Sequence, residues 1–368
     1  MTAAPGTSPP PPAAPDEARR GGRDAARRAL RVELGGVRLG VERRTLMVGS
    51  ALAAVILAAA AASLMSGSVA LSVSQVLDAL TGHADAEKTA RVLWQIRVPR
   101  VATAVAVGMA LGAAGCVFQS VSRNALGSPD IIGFTTGSAT GAVVQIVLIG
   151  AGPAATTGAA VVTGLLTAAA VYALARKDGV SGGYRLVLVG IGVSAFVGAV
   201  NTLVMARGDL DLATQARVWL SGSLNARTWD DAWPPLLAVV VVLPVLVAMS
   251  RRLDILEMGD DQAGQLGLRA ERIRLAVMFL GVTLTAAAVA GAGPIAFVAL
   301  AAPQIAARLT RAARVQVISS ALMGAALLLC ADLVSVHLPV SAALPVGLVT
   351  GALGGVYLLW ILTRSRSV

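Results

Sequence analysis

The sequence predicts an all-α integral membrane protein of about ten transmembrane helices. Three observations carry that expectation. Of 368 residues, 56% are hydrophobic and only 14% charged, against about 25% charged in a soluble domain, and mean hydropathy is +0.76. From residue 46 onward, apolar runs long enough to cross a hydrocarbon core of about 30 Å recur along the chain. The arginines gather in alternate connections between those runs. A soluble chain of this length could not hide so much apolar side chain, so lipid is the expected solvent.

The elements follow in order. Residues 1–45 open with an unbroken proline run at 9–12, and then Arg19, Arg20, Arg23, Arg27, Arg28, Arg31, Arg38, Arg43 and Arg44 take over. Such a segment cannot bury a core and reads as a disordered cytoplasmic tail. The transmembrane domain is expected over 46–368. Its first apolar run, 46–65, is longer than the roughly 7–15 residues of a cleaved signal's apolar region and reads as a retained helix. Further spans are expected at 101–117, 131–152, 154–175, 186–205, 233–249, 275–290, 295–307, 315–336 and 341–362. The eighth, 295–307, is short, with Pro294 before it and Pro303 inside it, so a broken helix is expected. Breaks at membrane depth survive only where protein or a water-filled cavity satisfies the freed backbone, and in transporters they mark the pathway.

With the N-terminus inside, 23 of the 30 Lys/Arg fall on the cytoplasmic side, leaving Lys88, Arg91, Arg97, Arg100, Arg207, Arg217 and Arg227 outside. That asymmetry places both termini in the cytoplasm, and the expected location is a cell inner membrane. It also accounts for the net charge of +10 as a topology signal rather than a nucleic-acid footprint. Cys116, Cys330, His83 and His337 are isolated, and no residue set has metal-ligand spacing or the pairing of a nucleophile with a base. No catalytic residues, metal or cofactor are therefore expected, and a membrane-embedded enzyme is disfavoured. Of 20 Asp/Glu, only Asp332 falls inside an expected span, near its outer end. An ion-coupled secondary transporter normally needs titratable groups at mid-depth, so that class is disfavoured too. The chain also lacks the G-x-x-x-x-G-K-[ST] phosphate loop. If the chain drives transport, its energy is expected from a separate subunit.

The strongest local signal runs from Gly108 to Gly141: a glycine-rich helix, the polar turn Arg123-Asn124-Ala125-Leu126-Gly127-Ser128-Pro129-Asp130, then a second helix. By itself this is a helix hairpin, with glycine for close packing and Asn and Ser-Pro for the turn. Other short runs follow in a fixed order: Trp94 to Arg100, Leu186 to Ile191, Trp219 to Leu224, Leu256 to Asp261 with Leu266-Gly267, Gly293 to Phe297, Ala302 to Arg308, Ala331-Asp332-Leu333 and Leu344 to Thr350. From residue 46 to the end, this ordered set resembles the permeases of type II ATP-binding-cassette importers for iron chelates and cobalamin. The Glu257 to Asp261 run, Gly127 to Asp130 and Gly354 to Tyr357 are most similar to a ferric-enterobactin permease subunit. Asn124-Ala125-Leu126 departs from the family's N-P-L, Gln304 stands where the family has His, and Val336 replaces a family arginine.

The resemblance implies a permease that carries a ferric siderophore inward, paired with a second permease, identical or not. Two ATPase subunits would lie below, and an extracytoplasmic siderophore-binding protein would deliver the cargo. Cobalamin or haem import by the same architecture is the alternative. It also implies that Leu256, Glu257, Met258, Gly259, Asp260, Asp261, Leu266 and Gly267 couple to the ATPase, although a solvated amphipathic linker would read the same way. Arg97 and Arg100 would dock the binding protein, or else simply anchor a helix end. Asn124 and Leu126, with Gly183 and Tyr184, would lie near the inner gate. Asn201 and Thr202 could face the pathway or make helix–helix hydrogen bonds.

Overall fold

The computed structural model describes residues 29–34, 37–67, 71–81, 87–130, 133–150, 152–176, 183–338 and 344–364. The tail at 1–28, residues 131–132 of the third expected span and 341–343 of the last lie outside the described residues. The chain first forms a hairpin of β1 (Ala29–Leu34) and β2 (Val37–Glu42), antiparallel, in the register Leu30 to Val41, Val32 to Leu39 and Leu34 to Val37. This hairpin falls within the segment expected to lack structure. There the dense arginine run gives way to alternating apolar and polar residues, the period of a strand.

The helices follow: α1 (Arg43–Met65), α2 (Val73–Leu80), α3 (Glu87–Val92), α4 (Val98–Ser122), α5 (Phe134–Val144), α6 (Pro153–Ala175) and α7 (Gly183–Arg207). Then come α8 (Leu210–Leu220), α9 (Trp229–Glu257), α10 (Asp260–Gln265), α11 (Ala270–Ala292), α12 (Val298–Thr310), α13 (Val317–His337) and α14 (Val346–Arg364). Among the described residues, seven stretches are long and apolar enough to cross a membrane: α1, the continuous run Lys88–Ser122, α6, α7, α9, α11 and α13. The remaining three expected spans correspond to α5 with its π-helical continuation to Ile149, to α12 and to α14. The second span starts earlier than expected, because a π turn at Leu93–Arg97 carries the helix from α3 into α4. Pro99 sits in the first turn of α4, where its missing N–H costs least.

The bundle is built around α4, which packs against α9, α11, α12 and α13. The glycine spacing explains how. A Cβ on Gly112 would sit 2.1 Å from the Ser320 carbonyl oxygen, and one on Gly115 would sit 1.7 Å from that of Ala299. Gly108 and Gly324 face each other across the same crossing, each carbonyl within 2.5 Å of where the other's Cβ would lie. In lipid, packing of this kind replaces the hydrophobic effect as the force joining helices. A second group, α5 to α7, is held together in the same way, with Gly137 against Thr167 and Gly141 against Ala159.

The expected break is present. α11 ends at Ala292, Gly293 (φ 73°) and Phe297 (φ 69°) turn the chain, and α12 begins at Val298. At 1.5 Å per residue, the 13 residues of α12 span about 20 Å, short of the hydrocarbon core. Protein satisfies the freed backbone: the Ser223 N–H donates to the Ala292 carbonyl at 2.9 Å. Gly354 of α14 leaves room for the Phe297 ring, which a Cβ there would meet at 2.1 Å.

Candidate functional site

The loop between α9 and α11 is shaped by two glycines. Gly259, at φ 118°, stops α9 and turns the chain into the six-residue α10, and Gly267, at φ 76°, releases it toward α11. Both conformations favour glycine over any residue with a Cβ. Asp260 and Asp261 occupy the first turn of α10, where carboxylates suit the positive helix end. The expected coupling residues divide into two sets. Leu256 is buried and joins Leu253 and Ala263 in fixing the loop to the bundle. Glu257, Met258, Asp261, Leu266 and Gly267 are exposed.

Asp260 is the centre of a charge network. Arg274, only 1% exposed, donates from Nη2 to both Asp260 carboxylate oxygens at 2.8 and 2.9 Å. Its Nη1 donates to Glu271 at 2.5 Å, and the Tyr172 hydroxyl of α6 donates to the same carboxylate at 2.6 Å. A guanidinium withdrawn from water needs such partners, because its desolvation costs several kcal/mol. Arg123, at the end of α4, adds a looser contact to Asp260 at 3.3 Å. Beside the network, Asp254 accepts the Val315 N–H at 2.7 Å just before α13 begins.

The turn after α4 is equally defined. Arg123 ends the helix in the left-handed region at φ 50°. Asn124 Oδ1 accepts the Leu126 N–H at 2.9 Å, and the Asn124 carbonyl accepts the Gly127 N–H at 2.8 Å, which leaves Leu126 exposed. Two glutamines tie this end of α4 to α12: Gln119 donates to the Leu300 carbonyl at 3.0 Å and Gln304 to the Ala125 carbonyl at 2.8 Å. Ala125 and Gln304, two of the three departures from the family pattern, are thus in direct contact. Further along, Asp130 accepts from the Thr135 hydroxyl. Burial pushes the Asp130 carboxyl above its usual range, and the Thr135 bond opposes that shift.

Gly183 and Tyr184 open α7, and Tyr184 is exposed; no hydrogen bond among the described residues joins it to the Asn124–Leu126 turn. Asn201 is buried and donates to the Thr136 carbonyl of α5 at 3.4 Å, so its place is a helix–helix contact. Thr202 donates to the Gly198 carbonyl of its own helix and is exposed.

At the opposite end of the bundle, both arginines expected to dock a partner are engaged within the chain. Arg97 is buried and donates to the Leu64 carbonyl of α1 at 2.5 Å. Arg100 forms a bidentate pair with Asp332 of α13, at 2.8 and 3.0 Å. Both side chains are thus already tied to partners inside the chain. Asp332 therefore makes an inter-helix ion pair. Sequence reasoning left the Arg100–Asp332 pairing unread, although the signal was available: a lone carboxylate in a span needs a cation, and Arg100 belongs to the same membrane face. Arg274 had only a local signal, its i,i+3 spacing from Glu271.

The geometry can now be set beside known proteins. The family model described as the FecCD transport family matches residues 46–364. The ferric enterobactin transport system permease FepG of Escherichia coli (strain K12) is 44% identical over 324 residues, covering 88% of this chain and 98% of the relative. The achromobactin transport system permease CbrC of Dickeya dadantii (strain 3937) is 38% identical, covering 84% and 89%. Among solved structures, a metal-chelate type ABC transporter in an inward-facing conformation superposes with a TM-score of 0.78 at 27% identity, covering 87% of this chain and 99% of that one.

Proposed function

The chain belongs to the FecCD transport family, and from that premise we propose that it is a transmembrane permease subunit of an ATP-binding-cassette importer that moves a ferric siderophore into the cytoplasm. The observation that carries the cargo class is the 44% identity to a ferric enterobactin permease across nearly its whole length. The chain does no covalent chemistry in this reading. It pairs with a second permease around a central path, takes its driving force from two ATPase subunits, and receives its cargo from an extracytoplasmic binding protein. The arginine-rich end, with the 251–274 loop, faces the cytoplasm, as the charge asymmetry favours.

The loop suits a coupling element for a physical reason. Met258 and Leu266 present adaptable apolar side chains outward, while Asp260 fastens the same short helix to buried Arg274. A partner gripping the exposed set therefore pulls on the helix core and not on a free linker. The test is uptake of a radio-iron-loaded siderophore by proteoliposomes holding the complete transporter, with ATP inside. Uptake should require ATP and the binding protein. Replacing Gly259 (φ 118°) with Val should abolish uptake while leaving capture of the loaded binding protein intact. Normal uptake by the Gly259→Val transporter would remove the coupling assignment, and indifference of the unaltered transporter to ATP would remove the proposal itself.

A further inference from the structure

The gate turn and the coupling loop lie far apart in the chain, Arg123 and Asp260 being 137 positions apart, yet they meet at one carboxylate. The two arginines on Asp260 differ in kind. Arg274 is 1% exposed and holds both oxygens at 2.8 and 2.9 Å, which fastens α10 to α11. The Arg123 side chain is 39% exposed and reaches a single oxygen at 3.3 Å. One tie is an anchor; the other can be made and released.

Arg123 is also placed to pass a pull onward. It is the left-handed residue that terminates α4 (φ 50°), a backbone state a non-glycine residue holds only under constraint. Its neighbours Asn124, Ala125 and Leu126 form one hydrogen-bonded turn. The Ala125 carbonyl is in turn held at 2.8 Å by Gln304 of α12, the short helix that follows the break at Gly293 to Phe297. A Cβ on Gly259 would lie 3.5 Å from Arg123 Nη1, so the hinge of the loop faces the same guanidinium. α10, Asp260, Arg123, the turn, Gln304 and α12 thus form a continuous series of contacts.

We propose that Arg123 is a positioning residue that transmits movement of α10 to the gate turn, with Gln304 extending the link to the broken helix. This rests on the coupling reading of the loop given above. The exposed ion pair is the releasable joint, and its strength depends on ionic strength because both partners reach water.

The test uses the complete transporter, with its ATPase and binding protein, in proteoliposomes, measuring ATP hydrolysed per ferric siderophore accumulated. Arg123→Gln should raise that ratio about two- to fivefold, the range an exposed ion pair supports. Arg123→Lys, which keeps the charge, should restore most of the coupling. Asp260→Asn should raise the ratio as well, and adding Arg123→Gln to it should change nothing further, since both remove one joint. Raising salt from about 0.05 to about 0.5 M should loosen coupling in the unaltered protein but not in Arg123→Gln. A purely structural role would show neither the lysine rescue nor the selective salt effect. An unchanged ratio in Arg123→Gln, or effects that multiply in the double variant, overturns the relay. If Asp260→Asn uncouples while Arg123→Gln does not, only the relay falls. If neither does, the coupling reading falls with it.

Discussion

Breaking the Arg100–Asp332 pair gives an asymmetric prediction. The Asp332 side chain is 3% exposed and that of Arg100 is 23% exposed, so the carboxylate is the more deeply buried partner. Removing one member of a fully buried pair costs roughly 3–5 kcal/mol, because the other charge is left without compensation. Asp332→Leu leaves a guanidinium that still reaches the interface, which lowers the cost to about 2 kcal/mol. Arg100→Leu strands the carboxylate among helices and should cost about 3 kcal/mol, close to that of an acid in a membrane helix. The double variant removes both charges and should lie within about 1 kcal/mol of the unaltered protein. The assay is reversible unfolding in mixed micelles, completed as a double-mutant cycle with an expected coupling of about 4 kcal/mol, the two single losses less that of the double variant. Additive losses in the double variant would refute the lock. The same variants address docking: if Arg100→Leu weakens binding-protein affinity with stability unchanged, the arginine serves the partner and not Asp332.

Gly112→Val should prevent assembly of the bundle, because its Cβ would overlap the Ser320 carbonyl at 2.1 Å and backbone cannot yield as a flexible side chain does; loss of folded protein in detergent checks this, and near-normal yield contradicts the crossing. Asp130→Asn should stabilise the protein at neutral pH. Burial raises the Asp130 carboxyl above 3.8 in the fold, so the native state favours the protonated form. The stability this contributes is full below 3.8 and is lost as pH rises through the raised value. The unfolding temperature of the Asn variant should therefore gain on that of the unaltered protein as pH climbs through that window and keep a constant lead above it; parallel profiles across the window would refute it.

The bundle was legible because lipid imposes a strict rule: each crossing must be apolar and must satisfy its own backbone. The ten expected spans and the break before Val298 follow from that rule and from Pro294. Two short helices outside the spans, α2 and α8, were not legible, since their segments carry Asp78, Asp211 and Arg217 and lack a long apolar run; nor was the extension of the second span through α3, which carries Lys88 and Arg91. The loop at 256–267 was legible as a unit but not in its division of labour. Hydropathy does not separate Leu256, packed in the core, from Leu266, which faces outward. The Asp260 network was the least legible part. Its members come from α4, α6, α10 and α11, and only the fold brings them to one point.

Where the driving force enters can be argued from what the helices hold. Among the described residues, Asp332 is the carboxylate that sits inside a long helix and away from its first or last turn. Ion coupling needs such a group to lose and regain its ion while facing each side in turn. Asp332 is 2% exposed, and both its oxygens are held by the Arg100 guanidinium. The carboxylate is therefore tied into an inter-helix pair and does not open to either side in turn. The opposite end offers the reverse: an exposed helix whose carboxylate is fixed to the core through Arg274, able to take up force from a neighbour. A proton gradient imposed on proteoliposomes without ATP should consequently drive no uptake of ferric siderophore. Accumulation under that gradient, abolished by Asp332→Asn, would move the energy source from the loop to the ion pair and reverse the reasoning.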